Sequence, residues 1–216
     1  SPRKGELVML WKKVFRDLRE NKGAYLACMV IIILGLMVYI ALSMVLDNLR
    51  ISQQAFYKDQ NFADGFVEVQ ALPYSEIQNL QLIEGVEDLQ GRLVKDVRVL
   101  LPDRGDNVYL RLISTDPKKE RSINGMRLLQ GASLNNEEAS IWIDNMFFDA
   151  NKLSLNDDLV VVTAGKKEEL RIAGVGQSPE FIYALRTMAD LYPNPEQFGI
   201  AFVPFEVMQS FFPEQN

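Results

Sequence analysis

The sequence predicts an α+β domain held outside the membrane by one N-terminal spanning helix, and three observations predict it. Residues 24–46 read AYLACMVIIILGLMVYIALSMVL, 23 positions without a charge. Beyond Gly65 the apolar period changes from that of a helix to the alternation of a strand. Strand-like and helix-like patterns then mix without the regular βαβ order of a parallel sheet, which is the α+β pattern.

The uncharged run comes first. At 1.5 Å rise per residue it forms a helix of about 34 Å, enough to cross a hydrocarbon core of about 30 Å. Residues 1–23 carry seven Lys or Arg and three acids; residues 47–216 carry 16 basic and 26 acidic side chains. Lys and Arg close to a span stay in the cytoplasm. This places the N-terminus inside and residues 47–216 outside the membrane. A cleaved signal peptide is the competing reading. Its apolar core is usually shorter, however, and Ala41-Leu42-Ser43 is a poor cleavage site.

Residues 1–23 form the cytoplasmic segment. Within it, Leu7, Leu10, Trp11, Val14, Phe15 and Leu18 share one helical face, while Lys12, Lys13, Arg16 and Arg19 take the other. A basic helix with Trp11 and Phe15 on its apolar side suits the surface of an anionic leaflet, so membrane lipids are one expected partner. A plain helix packed on another part of a larger protein has the same pattern. The turn Asn21-Lys22-Gly23 redirects the chain into the span, residues 24–46. Within the span Ala24, Cys28 and Gly35 lie roughly on one face, where small residues permit close helix packing.

Residues 47–60 contain no Pro or Gly, which lets the helix continue as a stalk; a frayed end followed by a loop fits the same residues. Residues 61–216 form the outer domain. Phe66-Val67-Glu68-Val69 alternates like a strand. A helix is expected from Pro73 through Ile77, Leu80 and Ile83, ended by Gly85. Val86 to Leu101 reads as one long strand or two short ones. Asp103 to Asn107 is a turn, and Val108 to Ile113 the returning strand. Residues 114–136 read as loops. Ile141 to Ile143 is a short strand, and Asp144 can cap a helix from Asn145 to Ala150. Leu159–Thr163 and Leu170–Val175 form a hairpin across Ala164-Gly165-Lys166. Ser178-Pro179-Glu180 breaks the sheet. Gly199–Val203 is a strand, and Pro204 opens the helix Phe205–Phe211. This order fits a split β-α-β core with a β-rich insertion. Its last helix lacks a following strand, so the parent protein is expected to continue beyond Asn216.

Composition limits the chemistry. The chain has no His and one Cys, Cys28, inside the span. That removes a Ser-His-Asp triad, His-ligated metal, a thiolate zinc cluster and any disulfide within the chain. An acidic outer domain is a poor nucleic-acid binder. No phosphate-binding Gly-rich loop opens a helix, so no nucleotide cofactor is expected here. The acidic pairs Asp157-Asp158, Glu137-Glu138 and Glu168-Glu169 fall in loops or turns, where solvated charge is the ordinary explanation, and Arg104-Gly105-Asp106 is a hairpin tip. No catalytic or metal residue is assigned, and a membrane-tethered enzyme is disfavoured. The candidate partner or substrate surface is Ser178, Pro179, Glu180, Phe181, Tyr183, Tyr192 and Phe198, where aromatics gather beside Pro. An ordinary core beneath a loop is the alternative.

Five fragments taken in order resemble a known family: GVEDLQGRLVKDVRV (85–99), VYLRLIS (108–114), LQG (129–131), ELRIAGVGQSPEFIY (169–183) and FGIAFVPFEVMQSFF (198–212), behind WKKVFRDLRENKGAYLA (11–27). The layout resembles the FtsX-like, MacB-type permease subunits of ABC transporters across nearly the whole chain. Asp157-Asp158 stands where the family often has Gly-Asp; Asn156 is expected to supply the positive φ instead. The resemblance implies a non-enzymatic permease subunit that couples ATP hydrolysis by a separate P-loop ATPase to motion of its outer domain. It also implies a sister permease half or second copy, and an extracytoplasmic adaptor or substrate. The later spans and the cytoplasmic coupling segment are not in this sequence, so no ATPase contact is assigned to any residue. A single-pass sensor or binding module is the alternative.

Overall fold

The uncharged run lies within one unbroken helix. In the computed structural model, which describes residues 4–70, 72–102, 104–119, 122–135, 139–187 and 189–212, helix α1 (Lys4–Glu20) precedes α2 (Lys22–Asp59). Asn21 is the single non-helical residue between them, so Lys22 and Gly23 belong to the helix and not to the expected turn. The chain divides into two units, one up to Gln54 and one from Ala55 onward, and the last turn of α2 belongs to the second. Among the described residues α2 is the one helix long and apolar enough to cross a membrane, and no residue of it is buried by protein. The core helix of a soluble protein would be covered. The uncovered apolar surface is consistent with a single membrane-spanning helix.

The second unit is built on seven strands: β1 (Val94–Leu100), β2 (Val108–Thr115), β3 (Arg127–Gly131), β4 (Ser140–Asp144), β5 (Asp158–Thr163), β6 (Lys166–Gln177) and β7 (Phe198–Pro204). Six of them close into a ring in the order β1, β2, β7, β4, β6, β5 and back to β1; β3 pairs with the end of β6. The pairs β2–β7 and β4–β6 are parallel and the others antiparallel. Strand β6 closes the ring because it is long. Its first half pairs with β5, and its second half pairs with β4 on one side and β3 on the other.

Alternation fills the ring. Val97, Val99, Leu110, Leu112, Ile141, Ile143, Leu159, Val161, Leu170, Ile172, Ala201 and Val203 form one buried cluster, joined by Phe147 and Phe148 of α4 (Asn145–Ala150) and Val207 and Met208 of α5 (Phe205–Phe211). In β6 the inward positions switch from Ile172 to Val175, because the register with β4 jumps from Ile172 to Gly174 and leaves Ala173 as a bulge. Strand β7 is buried throughout: Phe198, Ile200 and Phe202 face a second cluster outside the ring with Ile113, Met126 and Ala184. A strand covered on both faces is a continuous apolar run, which is how FGIAFVP reads.

Several expectations hold. Asp144 caps α4, its Oδ1 accepting from the Phe147 N–H at 3.0 Å. Ala164 (φ 46°) and Gly165 (φ 81°) make the two-residue turn between β5 and β6, and Asn156 takes a φ of 68°. Others are corrected. Phe66 to Val69 pairs with no strand, and Phe66, Val67 and Val69 are exposed; alternation is a local signal, whereas a strand needs a neighbour. Helix α3 (Tyr74–Leu80) stops five residues before Gly85. The strand expected from Val86 begins at Val94. The loops expected over 114–136 contain β3. Among the described residues the sheet curls into a ring, a closure that the sequence did not announce. Glu137, Glu138 and Asp103 lie outside the described residues.

Candidate functional site around Asn124

Where α2 ends, the chain turns through Gln60 and Asn61, the latter at φ 50°. This turn is held by the backbone of a distant loop. The Asn124 N–H donates to the Asn61 carbonyl and the Gly125 N–H to the Gln60 carbonyl, both at 3.1 Å. Asn124 is fully buried and also left-handed, at φ 50°. Asn is among the few residues with a side chain that tolerate that region.

Its carboxamide makes two further bonds. Oδ1 accepts from the Ala63 N–H at 2.7 Å, and Nδ2 donates to Glu180 Oε2 at 3.0 Å. The same Glu180 oxygen accepts from Arg92 Nη2 at 2.6 Å. The Arg92 and Glu180 side chains keep only 13% and 18% of their surface exposed. Arg92 Nη1 is buried and makes no hydrogen bond. Beside Asn124, the Ile123 N–H donates to Gln90 Oε1 at 2.7 Å, and the Ser178 hydroxyl lies 3.5 Å from the Asn124 carbonyl. An amide that donates at one end and accepts at the other is what such a position requires; neither Asp nor Leu supplies both. Below it, Tyr57 stacks on Phe62 with centroids 4.5 Å apart, and Phe62 meets Phe66 edge-on at 6.2 Å.

The residues of the candidate partner surface are divided by the fold. Ser178, Pro179 and Phe198 are buried, Phe181 is half-buried against the outer cluster, and Glu180 belongs to the Asn124 network. Tyr183 and Tyr192 are 68% and 83% exposed, with Leu191 beside Tyr192 at 88%. The segment carrying them is tied down again further on. Arg111 forks onto Asp96 at 2.7 and 2.9 Å, donates to the Arg186 carbonyl at 3.0 Å and lies 5.1 Å from the Phe198 ring centroid. The Arg186 guanidinium stacks 3.5 Å over Tyr109. Tyr109, Ala184, Arg186 and Tyr192 line a small hollow of about 170 Å³.

In the first unit Trp11, Lys12, Lys13, Phe15, Arg16 and Arg19 are all exposed, and Ala24, Cys28 and Gly35 are uncovered on the helix. Elsewhere acidic groups have structural duties. Burial pushes the Asp144 carboxyl above its usual range, opposed by N–H donors from Ile200, Phe147 and Met146. The hydrogen bond from Arg104 holds Asp106 below the usual range, and Arg104 also donates to Asn151. Asp157 accepts from the Ser154 N–H, and Asp158 pairs with Arg171. Among the described residues no three His, Cys, Asp or Glu side chains group as metal ligands.

Asn124 was not singled out from sequence. Its signal is the dipeptide Asn124-Gly125, which reads as a turn and carries no hint of long-range partners.

No protein-family model matches the chain, and no curated protein matches it. Among solved structures it is similar to the extracellular domain of the noncanonic ABC-type transporter YknZ from Gram-positive bacteria, with a TM-score of 0.41 and 14% identity over 67% of this chain and 68% of that one. At that level of likeness, what this chain does has to follow from its own residues.

Proposed function

We propose that this chain is the first span and outer domain of a bacterial ABC permease subunit, which passes motion from a partner ATPase to events outside the membrane. One observation carries the reading. Helix α2 runs unbroken from the uncharged segment to Asp59, and the turn that follows is hydrogen-bonded into the domain at Asn124 and Gly125. From Ala24 to Asp59 the helix is about 54 Å long, some 20 Å more than a hydrocarbon core requires. A continuous helix delivers a displacement to its end, whereas a flexible linker would absorb it. The ordered resemblance of residues 85–99, 108–114, 169–183 and 198–212 to FtsX-like, MacB-type permeases supports the same role.

In this reading the N-terminus is cytoplasmic, α1 rests on lipid through Trp11 and Phe15, and the Ala24, Cys28 and Gly35 face meets a sister span. ATP is hydrolysed by a separate P-loop subunit, and the domain moves without chemistry of its own. Exposed Tyr183, Leu191 and Tyr192 favour a second reading, a single-pass module that binds a partner outside the cell.

Purification of the native parent protein from gently solubilised membranes, with mass spectrometry of what is retained, tests the choice. A stoichiometric P-loop ATPase is expected. A parent chain recovered without one overturns the permease reading and leaves the binding module.

A further inference from the structure

The polar cluster that receives the end of α2 also holds the start of the segment bearing Tyr183 and Tyr192. Asn124 touches both: Ala63 through Oδ1 and Glu180 through Nδ2. Met126, two residues on, packs in the outer cluster with Ala184 and Phe198. The orphaned nitrogen on Arg92 adds a further fact. Glu180 Oε2 is shared between Arg92 Nη2 and Asn124 Nδ2, while buried Arg92 Nη1 has no acceptor. A buried unpaired donor is costly and calls for a reason. Arg and carboxylate pair best as a two-pronged fork, and here the fork is left half made.

We propose that Asn124, Glu180 and Arg92 form a two-position latch. With the helix end docked, Asn124 draws the Glu180 carboxylate toward itself and the fork with Arg92 stays open. When the helix end is displaced, Asn124 is withdrawn through Ala63 and Asn61. Glu180 then turns to accept from both Arg92 nitrogens, and residues 178–187 lose their tie to the loop at Asn124. The orphaned Nη1 is the device that makes the second arrangement favourable enough to compete. No bond is made or broken beyond hydrogen bonds. The position of the helix end thereby sets how firmly the Tyr183 and Tyr192 segment is held on the outer face of β2 and β7. This deepens the proposed transmission role and rests on it, although its test needs no ATPase, so the two ideas fail separately.

The test is hydrogen–deuterium exchange on the full chain in lipid nanodiscs, read at peptides covering 178–187 with β2 and β7 amides as an internal control. Ala63→Pro removes the N–H that donates to Asn124 Oδ1, and that N–H makes no bond to residues 178–187. It is expected to speed exchange there about tenfold while the β2 and β7 amides stay protected. In an Asn124→Ala background the same change is expected to add nothing. Asn124→Asp is the safer variant, since it keeps the backbone bonds and the acceptor for Ala63 but turns a carboxylate toward Glu180; it should also speed exchange about tenfold. Unchanged exchange at 178–187 in Asn124→Asp overturns the latch. So does an Ala63→Pro effect of equal size with and without Asn124.

Discussion

Replacing Glu180 with Ala removes the acceptor shared by Arg92 Nη2 and Asn124 Nδ2, and it strips the guanidinium, whose Nη1 already has no acceptor, of its Glu180 anion in a site where the Arg92 side chain is 13% exposed. Breaking a covered ion pair from one side costs about 3 kcal/mol, and the stranded Asn124 donor adds about 1 kcal/mol. A solvent-exposed pair would cost at most about 1 kcal/mol. For a domain of this size each kcal/mol moves the midpoint roughly 2–4 °C, so Glu180→Ala is expected to lower Tm by roughly 8–16 °C. The assay is thermal unfolding of the full chain in detergent micelles, followed by Trp142 emission in a Trp11→Phe background. Replacing both partners, Arg92→Met with Glu180→Leu, should recover all but about 1–2 kcal/mol of the loss, because apolar side chains of similar length need no partner. A midpoint within about 2 °C of the parent for Glu180→Ala would show that water reaches the pair freely, and it would refute the reasoning.

Gly199→Ala points a methyl at the Phe147 ring inside the sheet and should cost about 1–3 kcal/mol, with part of it restored by adding Phe147→Leu; urea unfolding of the single and double variants checks this. Because burial raises the Asp144 carboxyl, the folded chain holds that proton to higher pH than the unfolded chain does. Its contribution therefore falls as pH rises from the ordinary carboxylate range through the raised folded value. Asp144→Asn should remove this slope and cost about 1–2 kcal/mol at neutral pH, since its NH₂ faces either the Phe147 or the Ile200 N–H; unfolding midpoints from pH 3.5 to 7.5 for both proteins test the difference. If the span meets a second copy on the Ala24, Cys28 and Gly35 face, oxidation of native membranes should yield a Cys28-linked dimer, and Gly35→Leu should reduce it at least fivefold on gel analysis.

Signals confined to one element were legible in the sequence. The uncharged run, the Asp144 cap, the Ala164-Gly165 turn and the opening of α5 by Pro204 each need only neighbouring residues, and each stands within a residue or two of its expected place. What failed depends on partners far along the chain. Phe66 to Val69 alternates without an edge to join, while Arg127 to Gly131 lacks clear alternation yet pairs with β6 across a register shift. The aromatic grouping at 178–198 was visible, but which members face inward depends on β7 lying between β2 and β4. Asn124 was hidden for the same reason. Its role comes from four partners spread from Asn61 to Glu180, and no local pattern encodes that.

Closure of the six-strand ring also governs how the protein is made. Strand β2 pairs with β7, joining Tyr109 to Phe198, 89 positions apart, and the β1–β5 seam joins Arg98 to Val162. Contacts of such separation slow folding, since the loop entropy is lost before the contact forms. The ring cannot close until β7, made long after its partner β2, is available to pair. Until then the chain is open, with its Val, Ile and Phe strands unpaired. Where α2 is held in a bilayer, as the proposed function has it, tethering at that stage keeps two such open chains from meeting freely in three dimensions, so the same helix protects the assembly of the domain.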